Sequence, residues 1–147
     1  MNDPVEIRTA LENARTIAVV GCSPNPERPS HAIARYLIEQ GYRVVPVNPG
    51  HRMILGQTCY RSLTEIPREV EIDIVDVFRR SDAVEAVADA AIARGVGFFF
   101  MQQSVVDGES ARRLEAAGIP VAMDRCILVE HASRGLSPRN FEARVER

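Results

Sequence analysis

Apolar positions along the chain follow two alternating rhythms. Ile17–Val20 is a short, mostly β-branched run without polar alternation, the pattern of a strand buried on both faces. Arg43–Val47, Ile72–Val77, Phe98–Met101 and Ile119–Met123 repeat that pattern. Between them the spacing changes to three and four, which is helical. Ile33, Tyr36 and Leu37, flanked by Ala34 and Ile38, predict a helix from Ser30 to about Gln40, with Gly41 as its C′ residue. Val84, Val87, Ala88, Ala91 and Ile92 form one stripe in a helix that Asp82 and Glu85 cap and that ends near Arg94. Another helix is predicted over Gly108–Ala117, and a last one through Cys126–His131 with Asp124 as its cap. Ahead of the first strand, Asp3-Pro4-Val5-Glu6 reads as an N-cap, a first-turn Pro and a capping-box Glu.

The stretches between are punctuation. Asn48-Pro49-Gly50 stops the second strand, because a sheet cannot continue through that sequence. His51–Thr58 reads as a loop with a turn at Leu55-Gly56, and Ser62-Leu63-Thr64-Glu65 as a capping box opening barely one helical turn. Asp73 and Asp76, inside the third strand, each need a polar end or a partner. The polar segment 133–147 is expected to be a loosely attached tail. Strands alternating with helices at short connections imply a parallel sheet covered on both faces. The expected fold is therefore α/β and Rossmann-like, with about five strands, in a single domain over residues 1–147 whose core spans about 14–132.

In such a sheet, ligands bind beyond the carboxyl ends of the strands. The first of these ends is the most informative. Gly21 closes the strand, then Cys22, Ser23, Pro24, Asn25, Pro26, Glu27, Arg28 and Pro29 lead into the helix at Ser30. Strand, turn and helix start aim backbone N–H groups and the helix dipole at one point, a natural anion site. The dinucleotide fingerprint Gly-x-Gly-x-x-Gly is absent, since the next glycine after Gly21 is Gly41. Ser23, Asn25, Arg28 and Ser30 can instead donate to phosphate oxygens from a proline-stiffened loop. The second strand end offers Asn48-Pro49 where an NAD site wants an acid for the ribose, and Arg52 follows shortly. A ribose carrying a phosphate fits that better, as in NADP or in the 3′-phospho-ADP of coenzyme A. The other strand ends add Phe78-Arg79-Arg80-Ser81, Gln102-Gln103-Ser104 and Asp124-Arg125-Cys126.

Composition narrows the chemistry. A chain of 147 residues with 46% hydrophobic residues supports a real core. Its net charge of −2 argues against a nucleic-acid partner, and no apolar run suits a membrane. All 18 basic residues are arginine, so neither a P-loop lysine nor a Schiff-base lysine exists. Cys22, Cys59 and Cys126 form no paired framework, which points to a reducing, cytoplasmic setting. Cys59 and Cys126 read as small buried hydrophobes. Cys22 sits where N–H groups would favour a thiolate, although packing explains it too. His31, His51 and His131 are isolated, without metal-ligand spacing.

Five stretches in order carry a family resemblance. They are Gly21–Pro26 with Arg28-Pro29-Ser30, Val45–Pro49, Ser62–Pro67, Asp73–Arg80 and Met123–Cys126. Together they resemble the small stand-alone CoA-binding proteins, which are similar in fold to the N-terminal CoA-binding domain of the succinyl-CoA synthetase α subunit. The resemblance covers about residues 14–131. It implies coenzyme A or an acyl-CoA as ligand, with Gly21, Cys22, Ser23, Asn25, Arg28 and Ser30 around the phosphates. Asn48, Pro49 and Phe78, Arg79, Arg80 and Ser81 would line the nucleotide side, one of the two arginines meeting phosphate, and Gln102 would lie near the pantetheine. After its fourth strand the family has Trp-hydrophobic-Gln-x-Gly-Val, whereas this chain reads Phe100-Met101-Gln102-Gln103-Ser104-Val105. The synthetase's ligase chemistry depends on a second domain and a partner subunit, which 147 residues do not accommodate. A binding or regulatory role for a small nucleotide ligand is thus favoured over catalysis. The rival is an NAD(P)-binding oxidoreductase or redox sensor on the same fold.

Overall fold

In the computed structural model, which describes residues 1–136 and 138, five strands form one parallel sheet ordered β2-β1-β5-β6-β7. The strands are β1 (Thr16–Val20), β2 (Arg43–Val47), β5 (Ile74–Val77), β6 (Phe98–Met101) and β7 (Val121–Met123). The helices are α1 (Pro4–Asn13), α2 (Pro29–Glu39), α3 (Val84–Arg94), α4 (Gly108–Ala116) and α5 (Ile127–Ala132). Alternate residues of each strand enter opposite layers of core. Ile17, Val19, Ile74, Phe98 and Phe100 pack with Ile7, Leu11, Ile33, Leu37 and Ile127 from α1, α2 and α5. Ala18, Val20, Val75, Val77, Phe99 and Met101 pack with Val84, Ala88, Ala91, Ala111 and Leu114 from α3 and α4. Both faces are covered, which is why the strands carry no polar alternation. Each fully buried Leu or Phe contributes about 1.5–3 kcal/mol by leaving water.

Because α2 and α3 leave the sheet on opposite faces, the loops after β1 and β5 diverge and open a crevice at their carboxyl ends. These two strands are neighbours, with Val20 beside Val77. That is the switch point at which open α/β sheets bind ligands.

Most local signals behave as their chemistry requires, and a few are overridden. Asp3 caps α1, accepting from the backbone N–H of Val5 and of Glu6. The stretch His51–Thr58 is not only loop: β3 (Met53–Ile54) and β4 (Gln57–Thr58) pair antiparallel around the Leu55-Gly56 turn. Ser62 precedes a single 3-10 turn, Leu63–Glu65, without a side-chain cap. Asp82 does not cap α3; it lies within a 3-10 turn, Ser81–Ala83, and its carboxylate pairs with Arg80. Asp124 does not cap α5 either, because its Oδ1 accepts from the Ser104 N–H, in the loop after β6, at 2.7 Å. Asp73 finds its partners at the start of β1, accepting from the N–H of Arg15 and Thr16 at 2.9 Å each. Asp76 finds none. Of the segment read as a polar tail, Arg134 bonds back to Glu130 and Leu136 packs against the α1, α2 and α5 layer. Residues 137 and 139–147 lie outside the described residues.

Candidate functional site

The turn from Gly21 to Ser30 is held by its own side chains. Ser23 N donates to Ser30 Oγ at 2.9 Å, Asn25 N to Ser23 Oγ at 3.0 Å, and Glu27 N to Asn25 Oδ1 at 3.0 Å. Gly21 N and Cys22 N both donate to the Val47 carbonyl, and Arg28 N to the Asn25 carbonyl. The backbone N–H groups expected to await an anion are thus mostly committed inside the loop. Side-chain oxygens, in the absence of further glycines, do the turn-forming that glycines do elsewhere. The Ser23 and Ser30 hydroxyl protons, the Asn25 amide and the Arg28 guanidinium are left to meet a ligand, at the positive end of an eleven-residue helix. Arg28 forms no ion pair among the described residues. Ser23, Arg28 and Ser30, with Gly21, Pro29 and Phe78, line a hollow of about 340 Å³, and Asn25 lies outside that lining.

The residues after β5 divide sharply. Arg80 points outward, 86% exposed, and pairs with Asp82 at 3.1 Å. Arg79 lies over the first turn, its Cδ 3.0 Å from where a Cβ on Gly21 would stand. The geometry therefore sets Arg79, not Arg80, at the switch point. Ser81 ties two loops together, its Oγ accepting from Val106 N at 2.9 Å. Asn48 is likewise a brace: Nδ2 donates to the Cys22 carbonyl at 2.9 Å and Oδ1 accepts from Gly50 N at 2.9 Å. Pro49 is exposed beside it.

A second hollow adjoins the first. It has a volume of about 520 Å³ and is lined by Pro29, Ile33, Phe78, Gln102, Gln103, Ser104, Val105 and Cys126. Pro29 and Phe78 belong to both, so a hollow bearing hydroxyls and a guanidinium adjoins a largely apolar one. Gln102 is 5% exposed, and its Oε1 accepts from Ile127 N at 3.3 Å. Ile33, Val105 and Cys126 were indistinguishable from core residues in the sequence. Only their closeness to strand ends hinted at a site.

Cys22 presents no thiolate to the turn. Its side chain is 0% exposed, and its thiol is pushed up to about 12 by burial first, then by Cys59 and Asp76. Its backbone N–H and carbonyl are both hydrogen-bonded within the protein. It is a packing residue of the turn rather than a nucleophile.

At the cavity rim two non-glycine residues adopt left-handed backbone: Ser104 at φ 75° and Asp124 at φ 60°. The conformation that the family pattern gives to Gly is kept here by Ser, at a cost of about 1 kcal/mol. The Ser104 N–H bond to Asp124 offsets it. Ser104→Gly should therefore stabilise the protein by about 1 kcal/mol, or roughly 2–4 °C in Tm by calorimetry. A lower Tm would show that the Ser side chain, not the backbone, governs this corner.

Comparison with known proteins identifies the family. A model of the CoA binding domain matches residues 15–132. The uncharacterized protein YneT of Bacillus subtilis is 40% identical over 127 residues, 86% of this chain and 93% of that protein. A Thermus thermophilus protein of known structure, cell-free ID.343, superposes with a TM-score of 0.83 at 39% identity, covering 89% of this chain and 98% of its own. The α subunit of the ADP-forming acetate–CoA ligase II of Pyrococcus furiosus is 39% identical over 66 residues, 44% of this chain and 14% of that subunit. With a sheet of matching architecture, a crevice at its switch point and a family model spanning most of its length, the chain belongs to the CoA binding domain family.

Proposed function

We propose that this protein binds coenzyme A or an acyl-CoA across the β1–β5 crevice, in a non-catalytic or regulatory role. One observation carries the reading: the Ser23, Arg28 and Ser30 hollow runs into the Phe78, Gln102 and Val105 hollow through shared walls. A pyrophosphate in the first would direct a long, mostly apolar arm into the second. Arg79, beside Gly21, suits the phosphorylated nucleotide. The match to the ligase subunit falls on 66 residues, 14% of that subunit.

Calorimetric titration with CoA, dephospho-CoA, NAD and NADPH tests the reading. CoA should bind and the two nicotinamide dinucleotides should not. No heat at millimolar CoA would end the proposal, and equal affinity for dephospho-CoA would remove only the 3′-phosphate contact. Arg28→Ala should weaken CoA about tenfold or more, the loss of one charge-assisted hydrogen bond worth about 1.5–3 kcal/mol. Its Tm without ligand should match the parent's, since Arg28 is exposed and braces nothing by its side chain. Unchanged affinity would transfer the phosphate to Arg79.

A further inference from the structure

We propose that Cys126 reacts by thiol–disulfide exchange with the disulfide of coenzyme A, so that the chain captures the oxidised cofactor as a covalent adduct. The proposal rests on the coenzyme A reading above. Cys126 stands in the wall of the apolar hollow, which Ile33 of α2 and the Gln102–Val105 segment also line. The other two thiols are excluded by position: Cys22 and Cys59 are 0% and 7% exposed and neither lines that hollow. Burial also pushes both of those thiols up, away from the reactive thiolate.

A second feature points to an occupant. Gln102 is almost wholly buried in the same wall, yet only its Oε1 is engaged, by the Ile127 N–H. Its amide NH2 has no hydrogen-bond partner among the described residues. That donor is not sealed in the core but opens on the hollow, where an acceptor on a ligand can meet it. The amide carbonyls of a pantetheine arm are such acceptors, and the arm ends in a thiol. The hollow therefore combines a route from the phosphate turn, a donor for the arm and one accessible sulfur.

The exchange balances without any outside oxidant. The Cys126 thiolate attacks one sulfur of the CoA disulfide, and a new Cys126–CoA S–S bond forms as the old one breaks. The electron pair departs with the second CoA as its thiolate, which takes up the proton that Cys126 released. The leaving half lies toward solvent, where the cavity opens.

The experiment uses the intact wild-type chain. Calorimetry with reduced CoA first establishes binding. The protein is then incubated with CoA disulfide or with glutathione disulfide, and the adduct is followed by intact mass and located by peptide mapping. CoA disulfide should add one CoA moiety at Cys126, reversibly by dithiothreitol. It should do so at least about tenfold faster than glutathione disulfide adds glutathione, because binding makes the attack intramolecular. Adenosine 3′,5′-bisphosphate should slow it, and Cys126→Ala should abolish it. Binding of reduced CoA with no adduct, with the adduct on Cys22 or Cys59, or with equal rates for both disulfides would overturn the exchange while leaving the binding reading intact. No binding of reduced CoA would overturn both.

Discussion

Gly21→Ala should lower stability by about 2–5 kcal/mol and abolish ligand binding with it. Two effects add. Gly21 has φ 85°, where any other residue is strained by about 1–2 kcal/mol. An added Cβ would also stand 2.4 Å from the Phe78 carbonyl oxygen, which is backbone and cannot swing aside. Relieving that overlap must separate the end of β1 from the end of β5, at about 1–3 kcal/mol. The same movement displaces Phe78, a wall of both hollows, and Arg79 beside it. Gly118→Ala separates the two contributions, because Gly118 has φ 84° but nothing within 4 Å of its added Cβ. Thermal melts should show a drop several degrees larger for Gly21→Ala than for Gly118→Ala, at roughly 2–4 °C per kcal/mol for a chain of this size. Equal drops would mean that the Phe78 contact yields freely, and the turn would not be the rigid element described above.

Asp76→Asn should stabilise the protein at neutral pH and change little near pH 4. Asp76 is 0% exposed, paired in register with Val19 and Phe100, and neither carboxyl oxygen has a hydrogen-bond partner among the described residues. Burial pushes its carboxyl well above the usual carboxylate range. The unfolded chain releases this proton near pH 3.9 while the folded chain keeps it, so the unfolded state binds fewer protons above that pH. Stability should then fall as pH rises from about 4 toward the folded value, by up to about 1.4 kcal/mol per pH unit. An amide of the same shape does not titrate and removes that slope. The difference in Tm between Asn variant and parent should therefore open as pH rises from 4 to 7. A parent with flat stability over that range, or an Asn variant that is less stable at pH 7, would show that Asp76 is held as an anion.

The sheet was legible because its signals are local. Ile17–Val20 and Phe98–Met101 carry strand character in their own residues, and the Val84–Ile92 stripe carries helix in its spacing. The β3–β4 hairpin was not legible, because two-residue strands have no period to read and Met53 is exposed. The site was legible in outline at Gly21, Ser23, Arg28, Ser30, Phe78 and Gln102, all of which line one of the two hollows. Its depth was not. Ile33 and Val105 look like ordinary core positions, and they become cavity wall only because α2 and the β6 loop meet across the end of the sheet.

By itself, then, the sequence determined the order of the five sheet strands and their helices, the hydroxyl- and arginine-bearing turn lacking a glycine fingerprint, and the arginine-only inventory of cations. Those follow from backbone preference, residue spacing and side-chain chemistry, which act over a few neighbours. Tertiary structure decided that Arg79 and not Arg80 stands at the crevice and that the turn satisfies most of its own N–H groups. It decided that Asp73 is hydrogen-bonded while Asp76, three residues on, is buried without a partner. It also placed Cys126 in a cavity wall and Cys22 in the core. Each of these depends on which distant segment lies across from a side chain, and that is set by packing between elements rather than by the residues on either side.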